Sequence, residues 1–276
     1  MRYQKIDNEL FKLNRNNFVK HLKPKSIAIF NSNDLLPSNA DGTLPFIQNK
    51  DMFHLSGVDQ EESVLVLFPD AYFERHREML FLTETNDEIA RWEGAKLSKE
   101  EATEVSGVES VYWLSEMSKT MQDVMSQAEN VYLNTNEHLR QANQTETRDD
   151  RFRKNLMADY PLHNYMRSQP IMHKIRAVKS KYEIELLTKA SAINTDAYRR
   201  VLKFIKPGVM EYELEAEFLH EYVRKGSTGF SYTPIVASGA NACVLHYIDN
   251  DDVCNDGELI LFDVGCWYAN YASDVT

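Results

Sequence analysis

The sequence is poor in the features that mark secreted, membrane-spanning and nucleic-acid-binding proteins. It holds three cysteines in 276 residues, Cys243, Cys254 and Cys266, and no two of them form a CxxC pair. A disulfide framework is therefore not expected, and a reducing compartment, the cytoplasm, is. No stretch approaches the roughly 18 apolar residues of a membrane span, so no membrane partner is expected. The opening residues, from Met1 to Asn8, contain no apolar segment and no small-residue cleavage site, and no signal peptide is read there. Basic residues are also in short supply: 31 Lys and Arg stand against 42 Asp and Glu, a net charge of -11. That balance argues against a nucleic-acid polyanion as partner. No internal repeat or low-complexity tract is present.

What is there is globular. Hydrophobic residues make up 43% and charged residues 26%, enough for a buried core, and the length suits two domains. Short apolar runs at 26–30, 63–68, 79–83, 109–114 and 131–135 read as strands. Stretches near 6–22, 98–104 and 115–128 read as helices between them. This alternation predicts an α/β domain built on a mostly buried sheet. The polar stretch 141–155 reads as a solvated helix or connector.

A second domain is expected to begin near Ile175, giving a division into residues 1–172 and 173–276. Ser180 and Glu183 have the spacing of a capping box, in which each side chain satisfies the other residue's backbone N–H. Apolar residues then recur on one helical face at Ile184, Leu187, Ile193, Ala197, Val201 and Ile205. Pro207 and Gly208 end that helix. A second helix carries Leu214, Phe218 and Tyr222 and stops at Gly226. Strand follows at 233–237 and again from Gly257 onward.

The chemistry-bearing segment is 259–276. Its apolar run ends in Asp263, and a second aspartate, Asp274, follows eleven positions later. A hairpin turning about Tyr268 and Ala269 would set the two directly opposite, with Cβ atoms about 4.5–5.5 Å apart. Carboxylates so close, beside an apolar strand, require either protonation of one or a cation between them. Divalent ions with oxygen ligands are the natural solution. A longer loop with Asn270 left-handed would slip that register, and an ordinary surface pair is the other reading. His246 follows a Gly- and Asn-rich stretch and reads either as a satisfied structural residue or as a group delivered to a cleft by a loop. Cys266 reads as a small buried thiol.

Three blocks, 235–247 (IVASGANACVLHY), 256–265 (DGELILFDVG) and 268–276 (YANYASDVT), resemble the pita-bread metallopeptidases, and among them Xaa-Pro aminopeptidase (aminopeptidase P). The stretch 39–57 (NADGTLPFIQNKDMFHLSG) is similar to that family's N-terminal signature. The resemblance implies a creatinase/aminopeptidase-P-like front domain, a mixed sheet flanked by helices, followed by an incomplete α+β pita-bread catalytic domain. It implies that Asp263 and Asp274 are two of five ligands to a pair of divalent ions, usually Mn2+, and that His246 contacts substrate near the scissile carbonyl. Asp41 matches a position at the substrate cleft, and Trp92 a tryptophan that reaches a cleft, sometimes in a neighbouring subunit of a dimer or tetramer. Both also have plain readings, a turn residue and core packing.

The implied activity is metal-dependent release of the first residue from peptides with proline second. The family continues beyond the position of Thr276 with a histidine and two glutamates, so the sequence reads as an N-terminal fragment, inactive by itself. Prolidase and a non-catalytic binding module on the same scaffold are the rival readings.

Overall fold

Period-two apolar runs in the first part of the chain become strands of one sheet, because alternate residues of a strand point to opposite faces. The structure is a computed structural model that describes residues 3–138 and 145–276. Contacts divide it into two units: Ile6–Val178, and Lys179–Thr276 with the first few residues of the chain.

In chain order the first unit opens with α1 (Glu9–Val19), β1 (Ser26–Asn31), β2 (Pro37–Asn39), β3 (Gly42–Thr43), α2 (Lys50–Ser56) and β4 (Val64–Leu67). There follow β5 (Glu78–Leu82), α3 (Asp87–Glu93), α4 (Lys99–Ser106), β6 (Ser110–Trp113) and α5 (Met117–Met125). It closes with β7 (Asn130–Leu133), α6 (Arg148–Asp159), β8 (Asn164–Arg167) and α7 (Gln169–Ala177). The sheet has the order β6-β5-β4-β1-β7-β8. β4 runs antiparallel to both its neighbours, and the remaining pairs are parallel.

All five strands expected from the apolar runs are present. Ala28, Phe30, Leu65, Leu67, Leu80 and Leu82 face one core with Phe18, Met52 and Met172 from α1, α2 and α7. Their sequence neighbours Ile27, Ile29, Val64, Val66, Met79 and Phe81 face a second core with Met121, Val124 and Leu156 from α5 and α6. The mixed sheet is thus covered by helices on both sides, as its apolar strands demand.

Several elements were not anticipated: α2, α3, α7, β8 and the short β2–β3 pair. The polar stretch 141–155 resolves, over its described part, into the start of α6; residues 141–144 lie outside the described residues. One charged residue sits at the centre of this unit. Arg15 on α1 is fully buried, its Nε donating to Glu78 at 2.9 Å and its Nη1 to the carbonyls of Leu55 and Ser106, each at 2.9 Å. A guanidinium is tolerated there because acceptors from three other elements replace its water.

The second unit holds α8 (Lys181–Phe204), α9 (Glu211–Arg224), β9 (Ile235–Ser238), β10 (Ile260–Asp263), β11 (Trp267–Tyr268) and β12 (Tyr271–Ala272). The capping box forms as expected, with Ser180 N donating to Glu183 at 2.8 Å. Leu214, Phe218 and Tyr222 of α9 are fully buried. Phe218 packs edge-on against Tyr198 of α8 and Phe262 of β10, ring centres 5.1 and 5.4 Å apart. β9 and β10 pair antiparallel, with Asp263 at the end of β10 opposite Ile235. Cys266 is a buried free thiol, and burial raises its pKa, in line with a structural role.

Candidate metal centre

The site is assembled by a hairpin that α8 holds by both arms. Asn194 of α8, itself fully buried, donates to the carbonyl of Val264 at 3.1 Å and accepts from the Tyr222 hydroxyl at 2.5 Å. One turn further along α8, the Tyr198 hydroxyl reaches the carbonyls of Phe262 and Val275, at 3.4 and 3.2 Å. Burial and the nearby charge of Asp263 push that phenol up to about 12, so it stays a donor.

The register differs from the directly opposed one. β11 and β12 pair Trp267 with Ala272 and Tyr268 with Tyr271, and a bridge joins Val264 to Val275. The two turn residues are Ala269 and Asn270, both left-handed with φ 51° and 63°. A two-residue turn with both residues at positive φ matches the twist of the strands it joins, and it moves the turn centre one position along from Tyr268–Ala269. Asp274 consequently lies across from Gly265 and diagonal to Asp263. The slip changes each partner by two positions, so both carboxylates keep the same face.

Their environment also differs from the expected one. Asp263 is half-buried and Asp274 is exposed, so poor solvation does not press on both. What links them is a tyrosine. The Tyr232 hydroxyl is 2.6 Å from Asp263 Oδ1 and 2.8 Å from Asp274 Oδ1. Burial and the two acceptors hold its pKa far above the ordinary tyrosine value. The chain delivers it along the hairpin: Phe230 bridges Cys266, and Ser231 N donates to the Gly265 carbonyl at 2.9 Å. Ser231 Oγ bonds the Ser273 carbonyl at 3.0 Å. Gly265 has no alternative residue at this crossing, because a Cβ there would stand 1.9 Å from the Ser273 carbonyl oxygen.

His246 occupies an exposed turn after a short 3-10 segment, Gly239–Cys243. Its ring makes no hydrogen bond with a described residue, but its loop is tightly held. Glu211, fully buried at the start of α9, accepts from Tyr247 Oη at 2.6 Å, Asp252 N at 3.0 Å and Ser238 N at 2.6 Å. These bonds keep Glu211 ionised despite its burial. Among the described residues no group of three or more His, Cys, Asp or Glu side chains forms a metal cluster, so the structure brings Asp263 and Asp274 together and leaves His246 out of that pair.

Asp41 is exposed at the tip of the β2–β3 hairpin, beside Ala40 with φ 46°. Trp92 on α3 is 87% exposed, which removes the core-packing reading. Tyr232 is the side chain joining the two aspartates that the sequence pattern did not reveal.

Comparison with known proteins gives this constellation its class. The aminopeptidase P N-terminal domain profile matches residues 11–132, and that of metallopeptidase family M24 matches 185–276. The Xaa-Pro aminopeptidase of Escherichia coli is 31% identical over 276 residues, covering 98% of this chain and 62% of that protein. That of Haemophilus influenzae is 28% identical, with 99% and 60% covered. Among solved structures, Pseudomonas aeruginosa aminopeptidase PepP superposes with a TM-score of 0.86 at 26% identity, covering 98% of this chain and 61% of its own. A zinc-substituted E. coli aminopeptidase P in complex with product superposes at 0.84 and 29% identity, with 98% and 62% covered. The chain belongs to the M24 metallopeptidases that carry an aminopeptidase P N-terminal domain, and it spans about 62% of the length of the E. coli relative. Such membership implies divalent metal ions. No helix among the described residues is long and apolar enough to cross a membrane.

Proposed function

We propose that the intact enzyme is a metal-dependent exopeptidase that releases the first residue from peptides with proline at position two. The observation that supports this most is the convergence of Asp263 and Asp274 on the single hydroxyl of Tyr232. The residues fit the metal. Both donors are hard carboxylate oxygens, and the Oδ2 of each accepts no hydrogen bond from a described residue, which leaves it available as a ligand. An all-oxygen pair suits a hard divalent ion such as Mn2+. When bound, a pair of such ions polarises a carbonyl and lowers the pKa of water.

The chain's own residues do the rest. Tyr232, kept protonated, shares its one hydroxyl proton between the two carboxylates and ties their positions together. His246, on the loop braced by Glu211, contacts the peptide near the scissile carbonyl. Asp41 and Trp92 contact substrate, Trp92 from a neighbouring subunit of a homo-oligomer. These last assignments rest on the likeness of motif. The division into residues 1–172 and 173–276 and a cytoplasmic location, which suits three free cysteines, belong to the same reading.

The test is incubation of the full-length enzyme and Mn2+ with an Arg-Pro-initiated peptide, an Arg-Ala control and an Xaa-Pro dipeptide. Release of arginine from the Arg-Pro peptide alone is expected. No turnover across several divalent metals overturns the peptidase reading, and cleavage confined to the dipeptide turns it to prolidase. A second expectation concerns Tyr232. Tyr232→Phe keeps the fold but removes the shared donor, so Mn2+ affinity measured by calorimetry falls roughly 10- to 100-fold. An unchanged affinity assigns Tyr232 to packing.

A further inference from the structure

The first unit contains a polar cavity that the peptidase reading does not use. Its volume is about 400 Å3, and it opens where the parallel strands β1, β7 and β8 end. Asn33, Asn134 and Gln169, each just beyond the carboxyl end of one of these strands, line it. In open α/β sheets the crevice outside the carboxyl ends of parallel strands is the usual place for a ligand.

Five charged side chains line the same cavity, and four of them fall into two pairs. Asp51 is buried and already satisfied: Arg176 donates to its Oδ1 at 2.6 Å, and Gln169 and Asn134 donate to its Oδ2 at 2.6 and 3.2 Å. That ion pair forms a finished wall. Arg148 and Asp149, adjacent at the start of α6, are unfinished. Both are half-buried. Arg148 makes no hydrogen bond or close ion pair with any described residue, and burial pulls its guanidinium below the usual range. Asp149 accepts one bond, from the neutral amide of Asn31 at 2.8 Å, and burial pushes its carboxyl up to about 7. Lys50, with an amine that burial lowers to about 8, is a third cation on the cavity, after Arg176 and Arg148.

We propose that this cavity binds a small zwitterion of amino-acid size, its carboxylate on Arg148 and its ammonium on Asp149. Charges of both signs select this class. A bare anion entering the cavity meets the carboxylates of Asp51 and Asp149, and a bare cation meets Arg148, Arg176 and Lys50. A ligand that carries both charges compensates the guanidinium and the half-buried carboxylate together. The guanidinium offers a planar fork that matches a carboxylate.

The experiment is calorimetric titration of the 276-residue chain with proline and glycine. Glycinamide removes the carboxylate, acetate removes the ammonium, and inorganic phosphate and the dipeptide Gly-Pro complete the panel. The free amino acids are expected to bind at least about tenfold more tightly than glycinamide or acetate. Arg148→Met and Asp149→Asn are each expected to weaken amino-acid binding about tenfold. Acetate or phosphate binding as tightly as the amino acids makes this an anion site and overturns the proposal. So does equal binding of glycinamide, tighter binding of the dipeptide, or the absence of binding by every compound at millimolar concentration. The comparison among ligands decides the matter on the unaltered chain, whether or not either variant folds.

Discussion

Asp263→Asn in the intact enzyme is expected to reduce kcat/KM for an Arg-Pro peptide by roughly a thousandfold, the upper end of what loss of one preorganised electrostatic group costs. The substitution keeps the size of the side chain and one acceptor oxygen, so the Tyr232 contact at 2.6 Å has a partner. It removes the negative charge that an all-carboxylate pair contributes to a divalent ion. Steady-state kinetics with saturating Mn2+ measure the loss, and calorimetry of Mn2+ binding separates weaker metal from slower chemistry. A variant that keeps activity within tenfold of the parent removes Asp263 from the metal site. Asp274→Asn is the parallel measurement, because both aspartates share one face and one hydroxyl donor.

The second large effect is on stability. Gly265→Ala is expected to destabilise the second unit by roughly 3 kcal/mol, the top of the ordinary range for overpacking, and to lower its melting midpoint by roughly 12–24 °C. The added Cβ would sit 1.9 Å from the Ser273 carbonyl oxygen and 2.6 Å from Ser231 Oγ. The first contact is with backbone, which cannot rotate away as a flexible side chain can. Relief requires the hairpin arms to separate, which would break the Val264–Val275 bridge and draw Asp274 from Tyr232. Thermal unfolding followed by circular dichroism tests this. A midpoint within about 2 °C of the parent would mean that the crossing relaxes cheaply.

Much of the fold was legible because its causes are local. The apolar runs of β1, β4 and β5 alternate between two cores with a period of two residues, a pattern visible without any partner. The Ser180–Glu183 capping box joins residues three apart, and it forms as the spacing predicts. α2 carried equally local signals that its length obscured. Asn49 caps its first turn and Gly57 ends it at φ 70°, where a Cβ would meet the Phe11 ring at 2.2 Å. Seven residues offer too little periodicity to separate a helix from a strand. β8 was hidden for the opposite reason. It lies at the sheet edge, where its half-exposed residues, Asn164 to Arg167, show no apolar run.

The site divides along the same line. By itself the sequence carried the two aspartates and, once they lie on paired arms, their common face, since parity along a strand is a property of the residues. It also carried the blocks that align this chain with its relatives. Only the tertiary structure decided how the aspartates meet. The left-handed pair Ala269 and Asn270 moved the turn by one residue and made them diagonal neighbours. Tyr232, 31 and 42 positions away from its two acceptors, supplied the link. No local pattern encodes that contact, because it depends on the segment carrying Phe230 and Ser231 being threaded along the arm at Gly265.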